Sequence, residues 1–176
     1  PFLAYSLLNK ENVSFNLKNK YPKINFEKGN VIDFDFKNNQ VMTEFKKSEK
    51  YDYLLLCHGS VINDFNIIGL KENSYYLKNE YDALKIKDNI KKMPNNANIA
   101  VIGCGLTGSE IIGHLIDSNK YNIHAIDGLP NPLNIFNQNI RLYTLDLWRK
   151  NNINLHFGSF VKSMDNKVIN LNNGKK

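Results

Sequence analysis

An α/β fold is predicted, with a parallel sheet in the C-terminal half and a small antiparallel β-meander ahead of it, on three observations. From residue 98 onward the apolar pattern switches from strand period to helix period and back. A glycine-rich turn, Gly103 Cys104 Gly105 Leu106 Thr107 Gly108, stands where the first of those strands meets the first helix. Residues 21–57 instead read as short strands punctuated by turn residues. The chain has 176 residues, 42% of them hydrophobic, which is enough apolar material for a buried core and a size that suits one full domain or two partial ones.

Four strands are expected in the meander, at 24–27, 31–36, 41–45 and 53–57. Gly29 Asn30, then Asn38 Asn39, then residues 46–50 supply the turns between them. The second strand alternates Val31, Asp33 and Asp35 against Ile32, Phe34 and Phe36, the pattern of a half-buried antiparallel strand. The fourth is a continuous apolar run, Leu54 Leu55 Leu56, ending in Cys57 His58 Gly59 Ser60; it is expected to be covered on both faces and halted by glycine. Residues 61–97 read as a connector holding one short helix over 81–90, through Leu84, Ile86 and Ile90, before Met93 Pro94.

The second half has the cleaner rhythm. Residues 98–102 form a buried strand, and 107–118 a helix with Ile111, Ile112, Leu115 and Ile116 on one face. Residues 121–127 form a second strand, and 140–150 an amphipathic helix through Tyr143, Leu147 and Trp148. Strands at 153–157 and 168–171 follow. Strand, helix, strand, helix, strand in this order implies a parallel sheet with right-handed crossovers.

Composition excludes several classes of function. No apolar stretch approaches the ~18 residues of a membrane-spanning helix, and Pro1 Phe2 Leu3 lacks the charged lead of a secretion signal, so the segment is expected to be cytoplasmic. Cys57 and Cys104 make neither a disulfide framework nor a C-x-x-C metal motif. The formal charge is +6, yet of 23 basic residues only Arg141 and Arg149 are the arginines that fork onto phosphates and bases. The lysines are scattered among asparagines as solvated surface, and no nucleic-acid partner is expected.

The glycine turn carries the chemistry. Gly103 permits the tight exit from the strand, Gly105 lets backbone approach a pyrophosphate, and Gly108 lets the helix pack close to the sheet. The helix start at Leu106 and Thr107 supplies unpaired N–H groups and a positive dipole end, so an anion belongs there. Asp127 ends the next strand near the spacing of about 20 residues at which a carboxylate meets the ribose hydroxyls of a dinucleotide and repels a 2′-phosphate. Gly128 Leu129 Pro130 follow it with no arginine, which favours NAD(H) over NADP(H) in a Rossmann-like domain. The bland alternative is a glycine turn with Asp127 capping a loop.

Glu110 is expected in the first turn of the helix, where the dipole favours a carboxylate; it either stabilises the helix start or stands near the edge of the reacting rings. His114 has no second histidine at ligand spacing, and no metal is expected. His124 and His156 are read as satisfied strand residues, Cys104 as packing between the glycines, and Cys57 as a small buried apolar group.

Two separated motifs together resemble the pyridine nucleotide-disulfide oxidoreductases, nearest the type II NADH dehydrogenase branch. Tyr51 Asp52 Tyr53 Leu54 Leu55 Leu56 Cys57 His58 Gly59 Ser60 is similar to that family's YDYLVIATGS segment, with His58 at the usual threonine. Ile67 Ile68 Gly69 Leu70 resembles its I-P-G-V, with Ile68 replacing proline, and Asp82 Ala83 Leu84 resembles the helix that follows. The glycine turn ending in Gly108 Ser109 Glu110 resembles G-G-G-x-T-G-V-E, and Leu133 with Phe136 fits its L-x-x-F.

The resemblance implies a Rossmann-like parallel-sheet NAD(H)-binding domain over 98–176 lacking its last strand, a connecting segment over 67–97, and part of a FAD-binding domain with the β-meander over 1–66. It implies flavin contacts at Cys57, His58 and Gly59 and at the backbone around Val31, and a place for Glu110 beside the nicotinamide and flavin. The implied activity is hydride transfer from NADH to FAD and onward to a quinone or another acceptor. The alternative is a truncated, non-catalytic NAD(H)-binding module. The family's own flavin fingerprint and closing G-D motif are not in this sequence, so the segment is expected to be the middle of a larger flavoprotein or a truncated product. Any peripheral membrane association would fall to parts not in this chain.

Overall fold

The computed structural model describes residues 16–48, 50–166 and 168–174. These divide into two compact units, one within residues 16–61 and the other within residues 62–174. The first fifteen residues of the expected 1–66 flavin-domain segment lie outside the described residues.

The smaller unit holds a short helix α1 (Leu17–Lys20) and an antiparallel pair, β1 (Val31–Asp35) and β2 (Gln40–Thr43). Asn16 starts the helix by accepting from the N–H groups of Lys18 and Asn19, and Asp35 closes the hairpin turn by accepting from Asn38 through backbone and side chain. Two expected strands are absent. Residues 24–27 carry no ladder, and neither do 53–57, where Leu55 is 82% exposed rather than covered on both faces. Residues 24–27 alternate apolar with polar and 54–56 are continuously apolar, but a strand exists only where a neighbour takes its backbone groups, and among the described residues no ladder does so. Cys57 is accordingly exposed, not buried.

The larger unit begins with α2 (Leu70–Asn73) and α3 (Glu80–Lys92), then β3 (Asn98–Ile102), α4 (Leu106–Ser118), β4 (Asn122–Asp127), α5 (Gln138–Lys150), β5 (Asn154–Phe157), β6 (Val161–Met164) and β7 (Ile169–Leu171). Helix α3 starts in a capping box between Asn79 and Asp82 and stops at Met93, the residue before Pro94. Asn137 caps α5 by accepting from the Ile140 N–H at 3.1 Å. The strands β3, β4 and β5 form a parallel sheet in that order, as the strand–helix alternation implies.

The pleat of β4 sends alternate residues into two cores. Ile123 and Ala125 join Val101, Ile112, Leu115, Trp148 and Ile153 in the main core under α4 and α5. Ile126, on the opposite face, packs with Val161 and Leu171 of the β6–β7 hairpin. The sequence reading missed β6 because four residues with one lysine and one serine give too short a period to detect. Connector and hairpin are tied where Met164 N–H donates to the Ile68 carbonyl at 2.9 Å. Gly69 there has φ +76, and a Cβ on it would lie 1.9 Å from the Met164 carbonyl oxygen, so only glycine fits.

Candidate dinucleotide site

The site is the junction between β3, α4 and the end of β4. Gly103 leaves the strand at φ +90 and donates its N–H to the Ile126 carbonyl at 2.8 Å. The next residue turns inward. Cys104 is fully buried; burial first, and the Asp127 carboxylate second, push its thiol from the ordinary 9.0 up to about 12. It is packing, not a nucleophile. Its carbonyl accepts from Leu133 N–H and from the Ser109 hydroxyl, which fixes the loop from outside.

Two glycines act in opposite ways. A Cβ on Gly108 would lie 1.9 Å from the Gly103 carbonyl oxygen, so the first turn of α4 sits directly on the strand exit. A Cβ on Gly105 would meet nothing within 4 Å, so the space before the helix is open. Gly105 is the N-cap of α4, and no side chain caps it. The first N–H groups of the helix, at Leu106, Thr107 and Gly108, have no acceptor four residues back in the helix, and they present the positive end of its dipole. Leu106 is exposed.

Asp127 is held beside this loop. One carboxylate oxygen accepts from Cys104 N–H at 2.6 Å and the other from Leu129 N–H at 2.8 Å. The loop-capping role is therefore present in the structure. It leaves lone pairs unused, since a carboxylate offers about four acceptor sites. Position next to the glycine turn and residual acceptor capacity coexist in one side chain.

Glu110 requires a correction. Helix α4 begins at Leu106, so Glu110 is its fifth residue rather than part of the first turn, and dipole stabilisation has faded there. It is half-buried. Val31, Cys57, His58 and Gly59 all belong to the smaller unit, and all are exposed; Gly59 has φ +77 with open space around it. His124 and His156 do more than the sequence suggested: Nδ1 of one and Nε2 of the other lie 3.2 Å apart, linking β4 to β5, with Asn98 Oδ1 at 3.4 Å from the far nitrogen of His124. Among the described residues no cluster of three metal-ligating side chains occurs.

The sequence profile of the family described as pyridine nucleotide-disulphide oxidoreductase matches residues 3–176. The chain belongs to that family. Among curated relatives, the mitochondrial external NADH-ubiquinone oxidoreductase 2 of Saccharomyces cerevisiae is 27% identical over 188 aligned residues, covering 87% of this chain and 34% of the relative. The solved structure of NDH2 from Plasmodium falciparum in complex with NADH is 28% identical with a TM-score of 0.59, covering 75% of this chain and 33% of that one. The ferredoxin reductase of Rhodopseudomonas palustris superposes with a TM-score of 0.82 over 99% of this chain and 46% of its own, at 14% identity, which speaks to fold alone. This family member thus spans about a third of the length of the curated relatives it matches.

Proposed function

We propose that this oxidoreductase-family segment serves a FAD-dependent NADH dehydrogenase, and that its parallel-sheet unit binds NADH at the start of α4. The observation that carries the reading is the uncapped, sterically open helix start at Gly105, with Asp127 fastened beside it. The residues present fit the ligand. The N–H groups of Leu106 and Thr107 would donate to the pyrophosphate in the space that Gly105 leaves clear, while Gly103 and Gly108 hold loop and helix close enough for both to reach it. The free lone pairs of Asp127 would accept from the adenosine ribose hydroxyls and repel a 2′-phosphate.

For the flavin, the fit is narrower. The chain's single G-x-G-x-x-G is assigned to NADH, so the proposal gives FAD only the exposed backbone of Cys57, His58 and Gly59 and that around Val31. When both cofactors are bound, the nicotinamide supplies a hydride and the flavin accepts it. The protein's part is to position the two rings; Glu110, half-buried one turn into α4, is the proposed acidic neighbour of the reacting pair. The division 1–66, 67–97 and 98–176 into partial flavin domain, connector and NAD(H) domain is part of the same proposal.

The names of the relatives support NADH as donor and a quinone as acceptor. Among the described residues no helix is long and apolar enough to cross a membrane. The proposed location is cytoplasmic, with any attachment to the membrane face peripheral; the yeast relative is mitochondrial, and cell fractionation distinguishes the two. The deciding experiment is anaerobic addition of NADH to the full-length protein. Loss of bound flavin's visible absorbance, restored by a quinone, is expected. NADH binding without flavin would identify a non-catalytic module instead.

A further inference from the structure

We infer that Phe160, with Gly128 beneath it, is a stacking shelf for the adenine of the dinucleotide, a role that rests on the NADH reading above and extends it by one residue. Gly128 directly follows Asp127. A Cβ built on it would lie 2.2 Å from Cε1 of Phe160 and 2.6 Å from both Cδ1 and Cζ. The two ring neighbours of Cε1 are equally distant and barely farther, which is the pattern of a point above the ring face rather than beyond its edge. The phenyl ring therefore lies flat over the Gly128 backbone.

Its other side is open. Phe160 is 61% exposed, an unusual position for a phenyl ring that the backbone holds firmly. That backbone is clamped: Phe160 N–H donates to Asn172 Oδ1 at 3.0 Å, and Asn172 N–H donates back to the Phe160 carbonyl at 2.9 Å. The preceding residue, Ser159, is buried and donates its N–H to the Asp127 carbonyl at 3.1 Å, which ties the aromatic to the residue proposed to hold the ribose. A purine on that ribose is a flat apolar surface one glycosidic bond away. An aromatic face already supported from behind loses little entropy when a base stacks on it, and base–aromatic stacking is sequence-tolerant and substantial. Glycine at 128 is what lets the ring lie down, because any side chain there would lift it.

The test uses the full-length protein and three probes: NADH, ADP-ribose, and reduced nicotinamide mononucleotide, which lacks the adenosine half. Phe160→Ala is expected to weaken NADH and ADP-ribose about tenfold and to leave the mononucleotide unchanged. Phe160→Trp is expected to retain affinity, and its indole fluorescence to be quenched by ADP-ribose. Gly128→Ala, which displaces the ring without removing it, is expected to fall between wild type and Phe160→Ala. Equal NADH affinity in wild type and Phe160→Ala would overturn the shelf while leaving the NADH site standing. Equal losses for all three probes would also overturn it, because they would mark a fold defect. Failure of the wild-type protein to bind NADH would overturn both.

Discussion

Replacing Gly108 by alanine adds one methyl group, and the structure fixes where it goes: 1.9 Å from the Gly103 carbonyl oxygen, 3.0 Å from its carbon and 3.4 Å from Val101 Cγ1. Two of these three neighbours are backbone, so no rotamer change relieves the clash; helix and strand exit must separate. Overpacking of this kind costs typically about 1–3 kcal/mol, and a rigid carbonyl places this case at the upper end. A loss of about 3 kcal/mol lowers the melting temperature of a chain this size by roughly 6–12 °C. Gly113, on the same helix, is the control. A Cβ there meets nothing within 4 Å and its φ is ordinary, so Gly113→Ala should gain about 0.5–1 kcal/mol from helix propensity alone. Thermal unfolding of both variants, followed by circular dichroism in the same buffer, reads opposite signs if the packing argument holds. A Gly108→Ala protein as stable as wild type would refute the claim that this glycine is required by helix–strand approach.

Gly105→Val should weaken NADH binding at least tenfold with little change in melting temperature, since the space it fills is empty of protein and reserved for pyrophosphate; fluorescence titration measures it, and unchanged affinity counts against the site. Asp127→Ala should narrow the preference for NADH over NADPH and, by leaving the Cys104 N–H without its acceptor, cost about 1–3 kcal/mol of stability. The ratio of the two coenzymes' affinities, not the stability loss, tests the ribose role. Cys57 should alkylate readily at pH 8 in the native protein while Cys104 resists until denaturant is added, as peptide mass spectrometry would show. Because the folded Cys104 thiol keeps its proton up to about 12 and the unfolded thiol loses it from 9.0, the folded state binds more protons between those values, and stability should fall as pH rises from 9.0 toward 12.

Where one segment supplies both the pattern and its packing partner, the sequence was readable. Residues 98–102 and 122–127 are strands whose neighbours are each other, and the glycines between β3 and α4 do locally what their spacing implies. Leu54 Leu55 Leu56 reads like a central strand, but a central strand needs flanking strands, and no period in the run itself reports whether they are there. Cys57 was misplaced with it. The start of α4 at Leu106, one residue earlier than expected, moves Glu110 out of the first turn. The bond from Cys104 N–H to Asp127, the pairing of His124 with His156, and the ring of Phe160 over Gly128 join residues far apart in the chain. No local pattern encodes such contacts. They appear only once β4, β5 and the hairpin are brought side by side.

A crystal structure of the full-length protein soaked with NADH tests the account most directly. Pyrophosphate oxygens should lie within hydrogen-bond distance of the Leu106 and Thr107 N–H groups, with the adenosine ribose on Asp127. A dinucleotide bound elsewhere, or a helix start at Gly105 covered by the protein's own side chains, would contradict it.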